Sequence, residues 1–112
     1  MEKQRREHNR KVFLAMMNAL GRKDWDAGFA CMTDDVYCDW PYRPIPEMEE
    51  VMIGRDVVRA FFDNGQAPLA GLDYRIDQIY ELLDPDALIA EYHSASRHLA
   101  TGVPYSSRYL GI

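Results

Sequence analysis

Cysteine is scarce in this chain. Its 112 residues hold two, Cys31 and Cys38, with no CxxC pair and no histidine pair at ligand spacing, which argues against a structural zinc site. No glycine-rich loop is present to cradle a phosphate. No apolar stretch approaches the length that crosses a bilayer. The first ten residues lack the apolar run of an export signal. Excess positive charge is missing too: the net charge is −5 and the pI about 5.1, which argues against an electrostatic nucleic-acid surface. The locally basic residues Lys3, Arg5, Arg6, Arg10 and Lys11 read as a solvated helix face. These absences together predict a cytoplasmic protein with reduced thiols, no bound metal, no membrane and no nucleic acid.

What is present is a generous set of aromatics, seven Tyr, four Phe and two Trp, in a chain that is 47% apolar. That composition and length fit one domain over residues 1–112 with one core. From about residue 2 to 20 the spacing of Val12, Phe13, Met16, Met17 and Leu20 predicts a helix, with Gly21 placed for a left-handed cap. Asp24 is placed to cap a short second helix with a stripe of Trp25, Phe29 and Met32. Gly28 inside it suggests close packing. Residues 36–40 read as a strand. Pro41, Pro44 and Pro46 then break regular structure, so residues 42–50 read as a long loop, a lid or a partner contact.

Val57, Val58, Phe61 and Phe62 fit one face of a third helix that closes before Asn64-Gly65. Residues 72–77 alternate as a strand, Asp84-Pro85-Asp86 marks a turn, residues 87–100 read as one long bent strand, and a last strand follows the Thr101-Gly102 turn. Helices first and antiparallel strands afterwards is an α+β plan.

The ordered motifs Leu14-Ala15-Met16-Met17-Asn18-Ala19-Leu20, Asp24-Trp25-Asp26, Thr33-Asp34-Asp35-Val36, Gly54-Arg55-Asp56-Val57-Val58-Arg59-Ala60-Phe61-Phe62 and Thr101-Gly102-Val103-Pro104-Tyr105 resemble the SnoaL-like branch of the nuclear transport factor 2 (NTF2) and ketosteroid isomerase superfamily. The resemblance implies a cone-shaped α+β barrel, a curved antiparallel sheet wrapped around the N-terminal helix, with an apolar pocket between them. It also implies a homodimer, no cofactor, and acid–base chemistry beside a carbonyl in those members that are enzymes. The family pattern continues with one more strand than is seen here, so the expectation is a domain without it, its sheet edge open or covered by a partner.

Several positions depart from the family's catalytic pattern. Relatives carry an Asp directly before the proline that ends the first strand; here Trp40 stands there and Asp39 is one residue earlier. Strand alternation turns Cys38 and Trp40 inward and Tyr37 and Asp39 outward, unless a bulge swaps them. Phe13 occupies the place of the isomerases' helix tyrosine, and Ser107 about that of their second acid. Tyr92 and Ser94 occupy the places of the epoxide hydrolases' Arg and Asp.

The candidate acid–base residues are therefore Asp39 and His93, each with the plainer alternative of a solvated strand side chain. The candidate substrate-binding residues are Phe13, Met17, Cys38, Trp40, Tyr92, Ser94, Tyr105, Ser107 and Tyr109. The hydroxyl-bearing trios Tyr92, Ser94 and Tyr105, Ser107, Tyr109 lie on the last two strands, where alternation lets each trio line one face, or else pack at the rim. The expected function is a small-molecule pocket protein for a small apolar or aromatic ligand. It is either a cofactor-free isomerase, cyclase or lyase acting on a cyclic or polyketide-like carbonyl compound, or a non-catalytic binding or dimerisation module.

Overall fold

The computed structural model describes residues 2–41 and 48–111, with the side chains of Tyr105, Ser106, Arg108 and Leu110 outside the description. The element order is α1 (Glu2–Gly21), α2 (Trp25–Phe29), β1 (Tyr37–Asp39), β2 (Val51–Ile53), α3 (Arg55–Gln66), β3 (Arg75–Glu81), β4 (Leu88–Arg97) and β5 (Pro104–Gly111). This is the α+β order expected from the sequence, with one strand added, β2.

Helix α1 ends in a cap two residues beyond the predicted one. The Asp24 N–H donates to Ala19 O at 2.9 Å and the Lys23 N–H to Leu20 O at 3.2 Å, the pair of bonds that defines a Schellman cap. The left-handed residue is Lys23, φ 62. Gly21 is needed for another reason: a Cβ there would lie 2.8 Å from Leu72 O, so the helix end and the 72–74 backbone touch. Asp24 then starts α2, accepting the Ala27 N–H on its carboxylate at 3.2 Å. Gly28 packs on Leu20, where a Cβ would come within 2.7 Å of Cδ2.

The turn at Thr33–Val36 is tied to the start of α3. Val36 O accepts from Gly54 N at 2.8 Å and Asp34 O from Arg55 N at 3.0 Å. The Arg55 guanidinium pairs with the Asp34 carboxylate and donates to Met32 O at 3.1 Å. Strands β1 and β2 form an antiparallel pair with Cys38 opposite Met52, extended by a Trp40 N–H bond to Glu50 O at 2.6 Å. Residues 48–50 are thus tied to the β1–β2 pair; residues 42–47 of the predicted loop lie outside the described residues. Helix α3 runs through Asn64-Gly65 instead of stopping there. Gly65 is exposed with open space around it, so it costs only helix propensity; Pro68 follows two residues after the helix ends.

Strands β3, β4 and β5 form a separate antiparallel meander. The core lies elsewhere, among Leu20, Phe29, Met48, Met52 and Val58, with Trp25, Trp40, Phe61, Phe62 and Tyr74 packed around it. Helix α1 is fastened to the meander at both ends. Near its start Arg6 donates to Leu82 O at 2.7 Å and Asn9 to Pro85 O at 3.1 Å. Near its end Gly21 abuts Leu72 and Tyr74. Between those fastenings α1 carries Phe13, half-buried, and Met17, buried.

Candidate functional site on the tyrosine face of the meander

Alternation along β4 puts Ala90, Tyr92, Ser94 and Ser96 on one face. The register sets Gly111, Tyr109, Ser107 and Tyr105 of β5 opposite them, and directly paired residues share a face. Ala90 and Ser94 are fully buried, whereas Tyr92, Ser107 and Tyr109 are half-buried. The Tyr105 side chain lies outside the described residues.

Three tyrosines meet on this face. The Tyr92 and Tyr109 rings stack at 4.9 Å with 21° between planes. Tyr74 meets both edge-on, at 5.7 Å from Tyr92 and 5.9 Å from Tyr109. Such offset and edge contacts fix ring orientation as well as adding attraction. The two hydroxyls facing one another across the strands are not equivalent. Tyr109 Oη shares a hydrogen bond with Ser94 Oγ at 3.0 Å, which satisfies a hydroxyl that is completely buried. Burial, and then the neighbouring Tyr109, push the Tyr92 phenol up to about 12, so it stays a neutral donor at any physiological pH.

Cys38 and Trp40 belong to a second surface. Their half-burial, against exposed Tyr37 and Asp39, follows the alternation of a regular strand with no bulge. Trp40 packs on Phe61 at 5.6 Å, beside the core. Burial pushes the Cys38 thiol up, which keeps it protonated and a poor nucleophile.

The two candidate acid–base residues are not brought together. Asp39 is exposed on β1. His93 lies on the face of the meander opposite the tyrosines, where its Nδ1 meets Asp77 Oδ2 at 2.9 Å. The strand register shifts between Ile76 and Gln78, and this bulge lets Asp77 reach across to His93. On the same outer face the Tyr80 hydroxyl donates to Glu91 at 3.3 Å, and the charge of Glu91 leads in raising that phenol.

A cleft between α1 and the β3–β4 turn, lined by Arg6, Asn9, Arg10, Glu81 and Asp86 among others, holds only about 30 Å³, room for water and little else. No group of three or more His, Cys, Asp or Glu gathers among the described residues as a metal ion would need. No helix among them is long and apolar enough to cross a membrane.

Sequence reasoning missed Tyr74, Asp77 and Gly111. The alternation of residues 72–77 already put Tyr74 and Ile76 on one face, and that was the available signal for Tyr74. Nothing local marks the bulge that brings Asp77 to His93. Gly111 matters only through its pairing with Ala90.

This arrangement, helices on one side and an antiparallel meander on the other, defines an NTF2-like, ketosteroid isomerase-like α+β protein. The chain belongs to the SnoaL-like domain family, whose pattern matches residues 13–112. Among curated proteins none matches. Solved structures share the fold at low identity. A candidate isomerase from Bacillus subtilis is 17% identical with a TM-score of 0.80, the match covering 98% of this chain and 76% of that one. A Mycobacterium tuberculosis protein crystallised with estradiol-17β-hemisuccinate is 18% identical with a TM-score of 0.71, over 88% of this chain and 76% of that one. A Catenulispora acidiphila protein of ketosteroid isomerase-like fold, in complex with trimethylamine, is 14% identical with a TM-score of 0.67, over 88% and 71%.

Proposed function

We propose that this chain is a small-molecule-binding SnoaL-like protein whose ligand lies against the tyrosine face of the β3–β4–β5 meander, beneath the middle of α1. The observation that carries the reading is the Tyr74–Tyr92–Tyr109 cluster. It is an oriented aromatic wall whose three rings stay partly exposed and, unlike the rings of the core cluster, carry hydroxyls that can hold a ligand's oxygens. Phe13 and Met17 of α1 would supply the opposite wall, and Ser107 a further hydroxyl. Neighbours of the same fold crystallised with a steroid ester and with trimethylamine are in keeping with a small-molecule ligand.

Binding without turnover is the reading the geometry favours. Proton transfer by Asp39 or His93 would need those groups beside the ligand, and His93 is instead engaged with Asp77 on the other face. A homodimer joined through that outer face is in keeping with its exposed polar pairs. A thermal-shift screen against neutral planar ketones, lactones and steroids tests the reading. A ligand present at 100 times its Kd raises stability by about 2.7 kcal/mol. A hit recovered unchanged after incubation supports binding; conversion to a rearranged product would favour an isomerase, cyclase or lyase instead.

A further inference from the structure

The two stacked tyrosines use their hydroxyls differently. Tyr109 Oη is shared with Ser94 Oγ. Tyr92 Oη bonds no described residue, and it is not among the fully buried polar atoms that lack a partner.

Its position is held from three sides. Tyr109 stacks on one face and Tyr74 meets an edge. The hydroxyl end lies over the smallest cross-strand pair of the meander, Ala90 and Gly111. A Cβ at residue 111 would come 3.2 Å from Tyr92 Cε1 and 3.6 Å from its Oη, so the phenol reaches where it does because residue 111 has no side chain. A donor fixed in this way loses little further freedom when it bonds a ligand. The other described side chains sharing its face on β4 and β5 are Leu88, Ala90, Ser94, Ser96, Ser107 and Tyr109, and none is charged. The cations of α1 that face this side beside Ile79 and Leu88, Arg6 and Arg10, are already paired with Glu2 and Glu81, so an anion beside Tyr92 would lose water with no unpaired countercharge from these residues to replace it.

We propose that Tyr92 is the specificity-determining residue of this face: its hydroxyl donates to the carbonyl oxygen of an uncharged, planar ligand and selects it over the corresponding hydrocarbon and carboxylate. The proposal rests on the tyrosine face being the binding surface. Since the phenol keeps its proton up to about 12, the preference holds across the whole physiological pH range.

Three isosteric probes test it: 2-acetonaphthone, 2-ethylnaphthalene and 2-naphthoate, titrated into the full chain by calorimetry or fluorescence. The ketone is expected to bind about 2- to 10-fold more tightly than the hydrocarbon, the net worth of one hydrogen bond, and naphthoate more weakly than either. Tyr92→Phe should abolish the ketone preference, bringing the ketone-to-hydrocarbon affinity ratio to about one, and Tyr80→Phe on the outer face should retain the preference. A ketone preference that survives in Tyr92→Phe overturns the proposal and leaves the binding surface standing. No binding of either neutral probe to the wild-type chain overturns both. Should Tyr92→Phe fail to fold, Gly111→Ala gives a second test. The added methyl presses on the Tyr92 ring, and the ketone preference must fall; an unchanged preference in a folded Gly111→Ala protein counts against the proposal.

Discussion

The chain contains two aromatic clusters that differ in setting and in burial. Around α2 and α3, Phe29 lies 5.7 Å from Phe62 and 6.3 Å from Trp25, and Phe29 is 2% exposed. These rings meet edge-on or tilted around methionine and leucine side chains, with no hydroxyl among the rings. On the meander Tyr74, Tyr92 and Tyr109 meet at similar distances, but all three are only partly buried and each carries a hydroxyl. The same ring–ring geometry surrounds a fully buried ring, Phe29, in one place, with Trp25 and Phe62 partly buried around it, and builds a wall with no fully buried ring in the other. The difference lies in the setting: the first cluster is built on α2 and α3 around a buried ring, while the second lies on the meander and joins the first only through Tyr74, which packs against the core and abuts Gly21 of α1.

The sharpest way to break this contrast is Phe29→Ala. In the first cluster it should cost about 3–5 kcal/mol, since a large buried ring leaves a cavity, and urea unfolding will read it directly. Gly21→Ala comes next. Its Cβ would collide with backbone at Leu72 O, so neither side can yield by a rotamer change, and the expected loss is about 1–3 kcal/mol. That variant strains the joint between the two clusters, and ligand binding should weaken along with stability.

Ser94→Ala should cost less, about 1 kcal/mol. Tyr109 loses its partner, but as a half-exposed residue it can turn to water. The last effect is one of pH. Tyr92 titrates near 12 when folded against an ordinary value of 10.0. Between those values the unfolded chain binds fewer protons, so the stability owed to this shift is complete below about pH 10 and is lost as pH rises through 12. Absorbance titration at 295 nm should show a late tyrosine phase near pH 12, and Tyr92→Phe should remove it.

The sequence carried the first cluster well because its spacing is local. Trp25 and Phe29 follow helical periodicity and Asp24 announces the helix they lie on; the helix ends at Phe29, so Met32 of the expected stripe packs on the core from the turn after it. The α1 cap was misplaced because a glycine is the usual left-handed residue, whereas here Gly21 is required for close approach and Lys23 takes the positive φ. Strand β2 escaped notice at three residues, Val51–Ile53, too short to show alternation beside a proline-rich stretch. The tyrosines of β4 and β5 were readable as trios from period-two alternation. Their union with Tyr74, and the bond between Tyr109 and Ser94, depend on cross-strand register, which no local pattern encodes. The bulge at Asp77 is of the same kind. It decides that His93 has a carboxylate partner on the outer face.

The most direct measurement is a map of aromatic ¹³C–¹H NMR shifts as 2-acetonaphthone is added. A tyrosine binding wall beside a core cluster predicts large shifts at Tyr74, Tyr92 and Tyr109 and small ones at Trp25, Phe29 and Phe62. Shifts concentrated on the Trp25–Phe29–Phe62 cluster, with the three tyrosines unmoved, would contradict it.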